Sequence, residues 1–176
     1  DTDQSPNTFT INVTPVNDAP VIDLNGPAGG TGSTASYTEN AAPTALGPNA
    51  TVVDVDSADF DTGVLNVTIS AGGGVNDVLS VIHQGNGAGQ IGVSGATISF
   101  GGTAIGTLAG GGTSLNITFN ANATQAAVQA LVRQIGFATG TDNPATGLRT
   151  VQFSLTDGQR EVDRIADEGV PPWIVK

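Results

Sequence analysis

The chain has 176 residues, room for one core of ordinary size, with five Lys or Arg against sixteen Asp or Glu and a formal charge of −11. Such a surface repels nucleic acid and anionic membranes, because phosphate binding needs clustered cations, and it makes a divalent cation the natural counter-ligand. Cysteine is absent, which excludes disulfides, thiolate zinc sites and cysteine nucleophiles. Methionine is absent even at position 1, so the chain reads as processed, excised or a fragment.

In chain order, residues 9–16 (FTINVTPV) alternate apolar with polar, the period of a half-buried strand, and run into the polar hinge 17–20 (NDAP) before a second apolar start. The same alternation recurs in 63–70 (GVLNVTIS), 96–102 (ATISFGG), 114–120 (SLNITFN) and 149–158 (RTVQFSLTDG), and more weakly in 77–84 and 91–95. Gly-rich joints at 71–74, 85–89 and 109–112 separate these runs at the spacing of hairpins. Many short antiparallel strands imply an all-β, two-sheet sandwich. One segment breaks the rhythm. In 122–137 (NATQAAVQALVRQIGF), Ala127, Val128, Leu131, Val132 and Ile135 recur at helical spacing, with Asn122 or Thr124 as N-cap, so one short helix is expected near 124–134, packed on the sandwich edge. Arg133 at its last turn suits the helix dipole. No apolar run approaches the ~20 residues that span a bilayer.

The carboxylates are clustered. Asp54, Asp56, Asp59 and Asp61 fall within one stretch, VVDVDSADFDTG, between strand-like runs. On an extended segment Asp54 and Asp56 point the same way and converge on one hard cation; without it they repel each other. Oxygen-only donors suit Ca²⁺. An EF-hand loop is a poor match, since its Gly and Glu positions counted from Asp54 hold Asp59 and Leu65. Asp59, Asp61 and Asp77 read equally well as solvated side chains. His83, the one histidine, sits beside a glycine turn with no nucleophile elbow near it in sequence, and GNGAGQIG lacks the spacing of a dinucleotide loop, so no enzyme is expected.

Taken together, VNDAP, YTEN, DVDSADFDTG and FSLTDG resemble the cadherin-like repeats of large bacterial surface adhesins over roughly residues 13–158. The resemblance implies a Greek-key, immunoglobulin- or cadherin-like sandwich and a secreted or surface location. It also implies Ca²⁺ ligands at Asn17 and Asp18 in the linker, Glu39, Asp54 and Asp56, and Asp157. The organisation it suggests is a leading strand over 1–16, a calcium-type linker over 17–20, the sandwich over 21–160 and a distinct tail over 161–176. The tail departs from the family, which would place a further strand and a new VNDAP after TDG.

That departure leaves a strand without a domain and a domain without its last strand. The final strand of a tandem sandwich ends at the pole opposite the first strand's start; residues 17–20 reach at most ~13 Å, against poles roughly 25 to 35 Å apart, so direct self-completion looks blocked. Three outcomes stay open: donation to a neighbouring copy, head-to-tail; a boundary that cut a longer adhesin; or a tail strand, PWIVK, filling the gap. In the first, Glu39 and Asp157 of one subunit would meet Asn17, Asp18, Asp54 and Asp56 of the next. The expected role is a structural or adhesive repeat with neighbouring copies and a cell-surface or polysaccharide ligand as partners. The alternative is a carbohydrate- or ligand-binding module of a secreted protein.

Overall fold

The computed structural model describes residues 7–144 and 146–158. Within the segment expected to lead as a strand, residues 7–16 belong to no strand, and Phe9, Ile11, Val13 and Val16 lie exposed. The first pairing comes after the hinge, where β1 (Val21–Asp23) meets β3 (Thr51–Val53), with β2 (Thr44–Ala45) between them in sequence. Then follow β4 (Val64–Ala71), β5 (Asp77–Val81), β6 (Ile91–Ser94), β7 (Thr97–Phe100), β8 (Thr103–Gly111) and β9 (Ser114–Phe119). The helix α1 (Gln125–Val132), β10 (Ile135–Thr139) and β11 (Thr150–Leu155) complete the order.

The strands form three antiparallel sheets: six strands in the order β11-β4-β9-β8-β7-β6, three in the order β2-β10-β5, and the pair β1-β3. Alternation decides what faces inward. On β4, Leu65 and Val67 are buried, and on β9, Leu115, Ile117 and Phe119. From the opposing layer come Leu79 of β5 and Ile135 and Phe137 of β10, as β5 packs on β8 and β9. This is an all-β sandwich with one core.

The helix caps the core at one end. Thr124 is its N-cap, its hydroxyl accepting from the Ala127 N–H at 3.4 Å. Ala127, Val128, Leu131 and Val132 are all buried, so α1 plugs the layers between β3 and β7 and is less peripheral than the sequence implies. It also covers the open side of β3: the side-chain oxygens of Gln129 and Gln125 accept from the main-chain N–H groups of Val52 and Asp54, both at 3.2 Å. Arg133 closes the helix and donates from Nε to the Ala50 carbonyl at 2.7 Å, a direct bond in place of a dipole interaction alone.

Two strands escape the alternation rule. The longest, β8, carries TAIGTLAGG and lies between β7 and β9. Its end, 109–111, had the look of a glycine joint; the turn itself is at Gly112, with φ of 68°. At Gly106 an added Cβ would strike the Thr118 carbonyl oxygen on β9, so glycine here permits close strand approach. The other is β10, whose IGFAT continues the apolar pattern of the helix but turns back as a strand between β2 and β5.

Candidate metal centre at the linker

The DVD motif lies just past the end of β3, and its first aspartate folds the chain. Asp54 Oδ1 accepts from the N–H groups of Asp56 at 3.3 Å and Ser57 at 3.0 Å, a side-chain turn that ends the strand. The two carboxylates therefore do not lie side by side on an extended segment, because this local bonding outcompetes strand geometry. From α1, Gln125 fixes the Asp54 main chain.

The TDG motif follows β11. Thr156 and Val64 exchange main-chain bonds of 3.0 and 3.2 Å, which carry the β11–β4 ladder to its end and set Asp157 against the DVD turn. Asp157 is 1% exposed; its Oδ2 accepts from Asn17 Nδ2 at 2.7 Å and from the Ser57 hydroxyl at 3.4 Å. The hinge is held a second time by the Asp18 N–H, which donates to Asp56 Oδ2 at 3.0 Å. Thus Asn17, Asp18, Asp54, Asp56 and Asp157 come together in one chain, spanning 140 positions between Asn17 and Asp157. The expected division, with Asp157 on one subunit and Asn17 on the next, does not hold, because β11 ends at the same pole where the hinge enters.

Glu39 is elsewhere. It lines a groove with Tyr37, Thr139 and Arg149, and its neighbour Asn40 donates to Asp142 beyond the end of β10. Arg149 precedes β11 and Asp157 follows it, so six strand residues separate the two ends, about 20 Å at ~3.3 Å each.

The electrostatic balance at the linker is uneven. Asp54 Oδ2 is buried without a hydrogen-bond partner, a state that costs about 1–3 kcal/mol for a neutral group and more for a charged one. An unmet anionic oxygen beside other carboxylates fits a hard cation, and the surrounding donors are all oxygens or amides that can present oxygen. With the side chains in their present rotamers, no three Asp, Glu or His groups among the described residues are arranged to hold a metal ion. Binding would therefore require side chains around the unpartnered Asp54 Oδ2 to turn toward it, Asp56 giving up its bond from the Asp18 N–H.

No known family profile, curated protein or solved structure matches the chain. The site thus rests on its own geometry. Sequence reading missed two of its members: Ser57, which bridges Asp54 and Asp157, and Gln125, whose signal was only its place in the first turn of the helix.

The other carboxylates resolve separately. Asp59 Oδ1 accepts from the Asp61 N–H at 3.0 Å, another local turn. Asp77 is not solvated: it is 2% exposed and bonded to Arg149 Nε at 3.0 Å and the Gly74 N–H at 2.8 Å. Burial pushes its carboxyl up, but Arg149 and the Gly74 N–H outweigh burial and hold it below the usual range. The exposed His83 accepts from the Val93 N–H through Nδ1 at 2.9 Å, a structural bond. Trp173 and the tail over 161–176 lie outside the described residues. Among the described residues no helix is long and apolar enough to cross a membrane.

Proposed function

We propose that the chain is a calcium-stabilised structural or adhesive repeat of the extracellular cadherin-like kind, joined head-to-tail to neighbouring repeats. The observation that carries this reading is the double tie of the hinge, Asn17 to Asp157 and Asp18 to Asp56, beside the unpartnered buried oxygen of Asp54. A module whose only task was to bind a ligand would have no need to anchor the chain that enters it. Here the anchoring residues are also the cation donors.

Asp54, Asp56 and Asp157 would hold the ion, with Asn17 and Asp18 as the linker's contribution. The ion would supply positive charge to a carboxylate cluster and fix the angle at which the preceding segment leaves the sandwich. In its absence, Asn17 and the Asp18 N–H do part of that work by hydrogen bonding.

Thermal melting with Ca²⁺, with Mg²⁺ and with EDTA tests the reading. Free Ca²⁺ at 100 times its Kd adds about 2.7 kcal/mol, which raises Tm by roughly 5–10 °C in a domain of this size. Asp54→Ala and Asp157→Ala should each abolish the Ca²⁺-dependent rise. Equal melting in Ca²⁺ and EDTA would refute the assignment.

A further inference from the structure

Among the described residues, β11 is paired on one side only, with β4. The reciprocal Val64–Thr156 bonds set the phase of that ladder, so Val151, Phe153 and Leu155 turn their main-chain N–H and C=O groups toward the open side. Their side chains face inward yet stay half-buried, whereas Val67 and Leu65 of β4, opposite Phe153 and Leu155, and Leu115 and Ile117 of β9 are fully buried.

Next to this edge runs a groove of about 420 Å³, its apolar lining formed by Leu24, Tyr37, Leu46, Phe137, Val151 and Phe153. Residues 33–35 and Tyr37, a stretch that belongs to no strand, also line it. The groove is thus a slot lined both by a strand edge that β1 approaches without pairing and by a length of chain that belongs to no strand. An unpaired, apolar-lined edge is the template that an added strand completes.

The same chain carries a segment of matching character. Residues 7–16 hold no charged side chain, so they bring no ion of their own into the slot, whose lining already includes Glu39 and Arg149. Phe9, Ile11 and Val13 repeat at the two-residue period of one strand face and are 88%, 72% and 81% exposed. The segment cannot pair antiparallel with its own β11. That would put Val16 near Thr150, whereas Asn17 is bonded to Asp157 past the far end of the strand. A parallel fold-back is within reach, and the exposed side chains show that it is not adopted.

We propose that the slot beside β11 accepts residues 7–16 of a second copy of the chain, seating Phe9, Ile11 and Val13 against Val151, Phe153 and the groove floor. Donor segment and slot are different surfaces, so the contact is heterologous and propagates into an open fibre. The inference rests on the head-to-tail reading and is independent of the cation.

The absence of cysteine makes cross-linking a clean test. Thr10 alternates with the apolar donors, and Gln152 and Ser154 lie on the exposed face of β11. The full chain carrying Thr10→Cys, mixed with Gln152→Cys or Ser154→Cys chain under mild oxidation, should give a disulfide heterodimer. Both changes in one chain should give a ladder of oligomers, and Ile11→Asp should cut either product at least tenfold. An internally cross-linked monomer from the doubly changed chain would overturn the proposal, since the segment would then fold back on itself. So would association that appears only after residues 159–176 are deleted, because the tail would then be the natural occupant. EDTA separates the two ideas: cross-linking that persists in EDTA, with no Ca²⁺ effect on melting, keeps strand donation and discards the metal.

Discussion

Arg149→Ala tests the tie between the two layers of the sandwich. Arg149 stands just ahead of β11 in the six-stranded sheet, and Asp77 opens β5 in the facing sheet. Their bond is 3.0 Å long, with side-chain exposures of 15% and 1%. Removing the arginine leaves Asp77 buried with the Gly74 N–H and loses its counter-charge. Breaking a buried pair in this way costs about 3–5 kcal/mol, and the partial exposure of Arg149 favours the lower figure. About 3 kcal/mol corresponds to a fall in Tm of roughly 6–12 °C.

The pH dependence supplies a second readout. The folded pKa of Asp77 is depressed, so its stabilisation is present above the unfolded value of about 3.9 and is lost as pH falls through the folded value. Urea unfolding of the parent and variant chains, compared at pH 7 and below pH 4, should show a gap that narrows in acid. A gap under about 1 kcal/mol at pH 7, or one that does not change with pH, would refute the argument.

Three other changes probe the scaffold around the hinge. Phe60 is fully buried and meets Phe119 edge-on at 6.2 Å, so Phe60→Ala should cost about 3–5 kcal/mol in chemical denaturation. Gly63→Ala would drive a Cβ into the Thr156 carbonyl oxygen; it should displace the end of β11 and weaken the Ca²⁺-dependent rise in Tm as well as stability. Thr124→Ala removes the helix cap and should cost about 1 kcal/mol, measurable as a shift in the urea midpoint.

The strands that the sequence announces are those with branched or aromatic residues on every second position. GVLNVTIS became β4, SLNITF became β9 and TVQFSL became β11. The helix was equally plain, since Thr124 and the spacing of Val128, Leu131 and Val132 agree. In contrast, β8 owes its strand to neighbours on both sides, and its Ala and Gly carry little pattern of their own. Residues 9–16 have the pattern of a strand without a strand partner among the described residues, which shows that alternation reports a capacity to pair and not the pairing itself.

At the candidate site, the motifs pointed to the residues but not to their arrangement. Asp54 stood out as part of a carboxylate cluster, while its turn bonds depend on how the chain leaves β3. Glu39 lies in the YTEN stretch, yet a strand's length separates the two ends of β11. Asp77 and Arg149 are 72 positions apart, and only the stacking of two sheets makes them a pair.

The bond from Asn17 to Asp157 has a mechanical meaning. Tension on the chain ahead of the hinge enters the sandwich at three points: Asp157 past the end of β11, Asp56 past the end of β3, and β1. Force applied at Asp157 along the axis of β11 would load the bonds between β11 and β4 together in shear, without opening them one after another. A cation joining Asn17, Asp56 and Asp157 would stiffen that load path and spare the short β1–β3 pair from bearing the force alone.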